Sequence, residues 1–126
     1  MPSRMGLTLR AALWVARVEW GRRRYAFADL IERLEREPLG RRRSVDIESL
    51  LAAVRRAYSL SPFRPTCLKE SLAGVGLLRS LGYGARLAIG VKAAGTPVDA
   101  HAWIEVDGEP LHRGSDGYVA LRRARS

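Results

Sequence analysis

A chain of 126 residues and 14.0 kDa holds one compact domain and leaves no room for a separate cofactor domain. At 47% hydrophobic and 28% charged residues the composition is globular, and no apolar run approaches the ~18 residues of a spanning helix, so a soluble protein with no membrane partner is expected. The net charge of +9 is almost all arginine, since only Lys69 and Lys92 are lysines, and it is uneven: residues 1–66 carry 14 Arg against seven acids, residues 67–126 eight bases against six. Cys67 is the single cysteine, which excludes an intrachain disulfide and any multi-cysteine metal or cluster site and fits a reducing cytoplasm. Arg10, Arg17 and Glu19 interrupt the first apolar stretch, so it does not read as a signal sequence.

Along the chain, Leu7 to Trp20 has helical periodicity, with Leu7, Ala11, Trp14 and Val18 on one stripe and Leu9, Leu13, Ala16 and Trp20 widening it. Arg10, Arg17 and Arg24 recur on another side, and Gly21 with Arg22–Arg24 is expected to end or bend the helix. Phe27, Leu30, Ile31 and Leu34 predict a second helix, with Asp29–Arg33 and Glu32–Arg36 as i,i+4 pairs and Pro38 with Gly40 closing it. A third begins after Asp46, a predicted N-cap, and carries Ile47, Leu50, Leu51, Val54 and Tyr58. After the breaks at Pro62 and Pro65, Thr66 caps a fourth, from Cys67 to about Ser80, with Gly82 as its stop. Gly74 and Gly76 inside that helix disfavour it by ~1 kcal/mol each relative to Ala and imply close approach of another backbone, hence an enclosed helix. From Ala85 the period becomes two, through Leu87, Ile89 and Val91; a second strand spans Ala100 to Val106, and Asp107-Gly108 predicts a two-residue hairpin into a return strand from Glu109 to about Arg113. Tyr118 to Leu121 can add an edge strand. The fold class is therefore α+β: N-terminal helices, a central helix bearing the cysteine and a small antiparallel sheet, in one domain with residues 1–45 as a helical extension and 46–121 as the core.

A thiol at a helix N-terminus faces unpaired backbone N–H groups and the positive end of the helix dipole, which favours thiolate. Cys67 has that position. A nucleophile also needs a base, and His101 is the only histidine in a strand expected to face the sheet's neighbouring layer, where a central helix packed on the sheet could bring its imidazole to the thiol. Taken singly, each residue has an ordinary structural reading: a small buried thiol, a core histidine.

Pro65-Thr66-Cys67-Leu68-Lys69-Glu70-Ser71-Leu72, then Leu77 to Tyr83, then Arg86 to Val91, then Ala100-His101-Ala102-Trp103-Ile104-Glu105-Val106-Asp107-Gly108 resembles the transglutaminase-like cysteine peptidases, which share a papain-like core. Within them it most resembles the leader peptidases of lasso peptide biosynthesis, the stand-alone protease half of a split B protein. The resemblance covers roughly residues 47–121. It implies a cysteine protease with a Cys-His-Asp triad: Cys67 attacks the scissile carbonyl, His101 takes the thiol proton and returns it to the leaving amine, and an acid orients the imidazole. It implies no cofactor and no metal. Its partners would be the precursor's leader peptide, a separate leader-recognition protein for which this length leaves no room as an extra domain, and an ATP-dependent lasso cyclase that takes the freed core peptide. The basic first half is the candidate docking surface.

The family's acid falls about a dozen residues after the histidine, near Arg113, which cannot serve. Hairpin register offers others. If Val106 pairs with Glu109, then Trp103 faces His112, His101 faces Gly114 and Asp99 faces Asp116. Asp116, one diagonal step from His101, is the first choice; Asp99 on the same strand is second and His112 third. Trp103 reads as packing under the imidazole, Glu105 as a salt-bridge partner for an arginine of the helical half or a solvated residue, and Asp107 as a turn residue.

Two other functions compete. An amine acceptor in place of water would make the chain a transglutaminase or amidase. Alternatively, the arginine runs at 22–24 and 41–43 could bind nucleic acid, with Cys67 and His101 structural, although no aromatic-rich sheet face or DNA-reading motif accompanies them.

Overall fold

The turn at Asp107-Gly108 sets the sheet. Both residues take positive φ, 54° and 83°, the combination that lets a two-residue connection follow the twist of its strands. It joins β2 (Asp99–Val106) to β3 (Glu109–Pro110) with Val106 opposite Glu109 and Glu105 opposite Pro110, as the hairpin signal predicts. The computed structural model describes residues 4–42, 44–92, 99–111 and 119–122. β1 (Ala85–Lys92) pairs antiparallel with the whole of β2, and β4 (Val119–Arg122) pairs antiparallel with the far end of β1, giving the order β3-β2-β1-β4. Pro110, which lacks an N–H, sits on the edge strand where none is required.

Four helices precede the sheet: α1 (Arg4–Arg24), α2 (Phe27–Glu35), α3 (Ile47–Ser59) and α4 (Cys67–Ser80). α4 is the centre. Ser71 through Leu78 are all buried, and the helix touches α1, α2 and α3 as well as β1 and β2; a helix surrounded on every side needs apolar or small residues all round. Its two glycines admit side chains, not the backbone expected from sequence. A Cβ on Gly74 would meet the Ile104 side chain, and one on Gly76 would meet the Trp14 ring. The helix ends as predicted at Gly82, φ 91°, where the Gly82 N–H donates to Arg79 O and the Tyr83 N–H to Leu78 O, both at 3.0 Å.

The row Leu87, Ala102 and Ile104 faces α4 and joins the main core with Leu50, Val54, Leu72 and Leu77. Where β1 has no β4 partner, helices satisfy its edge. Glu35 of α2 accepts the Leu87 N–H at 2.8 Å, and Arg79 of α4 donates to Ala85 O at 3.3 Å and Glu37 O at 2.9 Å. Burial and the neighbouring Arg86 push the Arg79 guanidinium below its ordinary value.

α1 continues through Gly21 to Arg24 without a break. Its first predicted stripe is buried at Leu7, Ala11, Trp14 and Val18, but the residues expected to widen that stripe face solvent: Leu9 is 66% exposed, Leu13 51% and Trp20 59%. Phe27, also assigned to a core stripe, is 45% exposed. Of the two ion pairs predicted on α2, Glu32–Arg36 forms, whereas Arg33 lies over the Tyr25 ring, 3.9 Å from its centroid.

Candidate active site

Cys67 occupies the first position of α4. Thr66 is the N-cap in extended conformation, and its Oγ1 accepts the Lys69 N–H at 3.2 Å, which fixes the thiol at the N-terminal end of the helix among backbone donors. The thiol is exposed. The segment entering the helix is tied down by Lys69, whose Nζ donates to Arg64 O at 2.9 Å and lies 2.8 Å from Glu19 Oε1 of α1. Glu19 is 3% exposed and has a second cation, Arg22, at 3.0 Å. This buried carboxylate with two cations joins α1 to the first turn of α4. No helical spacing within one element could have signalled it, because Glu19 and Lys69 belong to different helices.

Beside it, Tyr58 of α3 is buried with its hydroxyl lacking a hydrogen-bond partner among the described residues. Burial, then the nearby Glu19 and Glu70 carboxylates, push its phenol well above the usual value.

His101 comes from β2, opposite Gly90 of β1. Ser71 Oγ of α4 donates to Ala102 O at 3.4 Å, so helix and strand meet next to the histidine. Two cavities share Cys67, His101 and Ala102 in their walls. One, of about 160 Å³, extends between α3 and α4 over Leu51, Val54, Arg55, Glu70, Ser71 and Ile104. The other, of about 230 Å³, extends over Phe27, Leu68 and Ile89. Cys67 and His101, distant in sequence, thus line a common cleft with apolar arms on both sides and Glu70 and Arg55 on one.

Alternation along β2 puts His101, Trp103 and Glu105 in one row, opposite to the Ala102–Ile104 row under α4, so His101 is not on the helix-facing side of the strand where the sequence places it. The imidazole and the Trp103 ring lie 6.1 Å apart between centroids and 22° from parallel. Glu105 is neither solvated nor paired with an arginine of the helical half, the two alternatives drawn from sequence. It is 2% exposed, and its Oε2 accepts the Trp103 Nε1–H at 2.8 Å. The signal for this bond is the i,i+2 spacing of Trp and Glu on one strand face. Of the three residues considered for orienting the imidazole, Asp99 lies two residues before His101 on β2, opposite Lys92, while Asp116 and His112 lie outside the described residues. Among the described residues, no three His, Cys, Asp or Glu side chains are grouped to hold a metal ion, and no helix is long and apolar enough to cross a membrane.

A helix starting at an exposed cysteine, packed on an antiparallel sheet whose strand brings a histidine to the same cleft, gathers the two residue types that cysteine-dependent acyl transfer uses. A family model described as the transglutaminase-like superfamily matches residues 12–125, and the chain belongs to that superfamily, which includes cysteine peptidases and acyltransferases. The match begins inside α1 and takes in nearly all of the helical half. No curated protein and no solved structure matches.

Proposed function

We propose that this chain is a cysteine peptidase that removes the leader from a lasso peptide precursor, working with a separate leader-recognition protein. The observation that carries the chemistry is the shared cleft: Cys67 at the first turn of α4 and His101 of β2 line the same two cavities. The lasso assignment rests on the resemblance of the Thr66-to-Leu72 and Ala100-to-Gly108 segments.

In this reading the Cys67 thiol gives its proton to His101 and the sulfur attacks the scissile carbonyl carbon. The resulting oxyanion is met by backbone donors at the start of α4, the Cys67 N–H among them; one such donor is worth ~2.7–4 kcal/mol of transition-state stabilisation. Collapse breaks the C–N bond as the imidazolium protonates the leaving amine, leaving a thioester on Cys67. Water then attacks the thioester, giving a proton to His101, and the leader departs as a carboxylic acid as the thiol is restored. Asp116 is the proposed orienting acid. The apolar arms of the cleft take side chains flanking the scissile bond. The recognition protein docks on the outer face of α1, where Met5, Leu9, Leu13 and Trp20 are exposed and arginines supply the charge.

The test mixes the chain with precursor and recognition protein and follows products by mass spectrometry. Leader and core should separate with the gain of one water, and Cys67→Ala and His101→Ala should each abolish cleavage. Undiminished cleavage by Cys67→Ala overturns the mechanism. A product mass showing an amine joined to the leader instead of water assigns the chain to the acyltransferases of the superfamily.

A further inference from the structure

Glu105 is a buried carboxylate that the proposed chemistry does not use. It lies in the row of His101 and Trp103, on the strand face turned away from α4, and is 2% exposed, as is Trp103. Its Oε2 holds the indole N–H at 2.8 Å, while its Oε1 is buried with no hydrogen-bond partner among the described residues. Across the ladder the charged residue facing it from β1 is Arg86, and β3 presents Pro110. A carboxylate is an expensive way to satisfy one indole N–H, because an amide or hydroxyl would do so without burying charge.

The indole is not a passive spacer either. Its ring lies 22° from parallel to the imidazole, with centroids 6.1 Å apart, an offset stack in which the orientation of one ring limits that of the other. A hydrogen bond from the indole edge to an anion removes the rotational freedom of the Trp103 ring about its own bonds.

We propose that Glu105 is a positioning residue for His101, acting through the Trp103 indole: the carboxylate holds the ring and the ring holds the imidazole. The proposal rests on the reading of His101 as the base for Cys67. It assigns to the Trp-x-Glu portion of the β2 segment a purpose beyond packing. The other titratable and charged residues that line the cleft with His101 are Cys67, Glu70 and Arg55, and its cross-strand neighbour Gly90 carries no charge.

The experiment uses the full chain without substrate. Alkylation of Cys67 by iodoacetamide is followed by intact mass across pH, with His101→Ala as the reference for a thiol deprived of its partner. Wild type should show an acidic limb that His101→Ala abolishes. Glu105→Leu and Trp103→Phe should move that limb toward the His101→Ala profile and slow alkylation at neutral pH by about tenfold or more, the scale of misplacing one catalytic group. Glu105→Gln, whose amide oxygen still accepts the indole N–H, should recover most of the rate and of the wild-type limb. Thermal melts check that each variant folds; if Glu105→Leu does not, Glu105→Gln and Trp103→Phe carry the test. A folded Glu105→Leu or Trp103→Phe with the wild-type profile overturns the proposal, and so does a His101→Ala profile identical to wild type. Precursor cleavage is measured separately. An altered alkylation profile in a chain that cleaves no leader removes the peptidase reading and leaves the positioning role standing.

Discussion

Tyr58 illustrates how a single residue near the cleft responds to its surroundings. Its ring is buried in the core, and its hydroxyl is buried near the Glu19 and Glu70 carboxylates. The phenol therefore stays neutral in the fold at pH values where it ionises in the unfolded chain. With the folded value raised, the contribution to stability is full below the ordinary phenol value of about 10 and is lost as pH rises past it toward the folded value, because the unfolded state then binds fewer protons. Tyr58→Phe keeps the ring and removes the ionising group. At pH 7 its unfolding free energy should lie within about 1 kcal/mol of wild type or above it, since no hydrogen bond among the described residues is given up. Between pH 10 and about 11.5 it should lose less stability than wild type. Urea melts at the two pH values check both statements; equal alkaline losses would show that Tyr58 titrates as it does in the unfolded chain.

At the scale of the element, α4 shows why two glycines in one helix are not equivalent. Either Gly→Ala change gains about 1 kcal/mol of helix propensity. A methyl at position 74 meets only the tip of the Ile104 side chain, which can turn aside. One at position 76 meets the face of the Trp14 indole, which is 4% exposed and packed between α1 and α4. Gly74→Ala should therefore stay within about 1 kcal/mol of wild type, whereas Gly76→Ala should destabilise by about 1–3 kcal/mol through overpacking. Denaturant melts of the two variants side by side decide it, and equal effects would mean that propensity, not packing, governs both sites. The same helix carries Cys67, so a shift of α4 against α1 would also displace the thiol relative to β2.

Across the whole molecule, the exposed apolar stripe on α1 is flanked by arginines of the same helix. Met5 is 74% exposed and Leu60, beside the stripe at the end of α3, 77%. Between α1 and α3 an apolar groove of about 300 Å³ runs past Leu9, Ala12, Ala16, Leu60 and Phe63. Arg24 covers the Trp20 ring at 5.2 Å and Arg23 reaches Phe63 at 6.0 Å. If the recognition protein docks there, Leu9→Asp and Leu13→Asp should leave melts within about 0.5 kcal/mol of wild type. Cys67 alkylation should be unchanged too, while partner-dependent cleavage falls about tenfold or more at fixed partner concentration, as for central apolar residues of an interface. Undiminished cleavage moves the docking surface elsewhere. The nucleic-acid alternative makes a different prediction for the same variants, because binding dominated by phosphate contacts would fall with salt and hardly respond to lost leucines.

Local chemistry was legible in the sequence: the caps at Asp46 and Thr66, the stop at Gly82, the Asp107-Gly108 turn and Cys67 at a helix start depend on neighbours a few residues away, and each appears where its residue types require it. Periodicity likewise located four helices and the paired strands. It could not choose between the two apolar stripes of α1, since both have helical spacing and only packing against α3 and α4 buries one of them. Nor could it place Cys67 and His101 in the walls of one cleft, pair Glu19 with Lys69 or tell that Glu105 is buried against the Trp103 indole and not solvated. The cleft forms where α4 meets β2 at Ser71 and Gly74, the Glu19–Lys69 pair where α1 meets α4, and burial removes the water that would otherwise satisfy each carboxylate. Short-range hydrogen bonding and side-chain spacing determined the elements; exclusion of solvent between distant elements decided which faces close and which groups share the cleft.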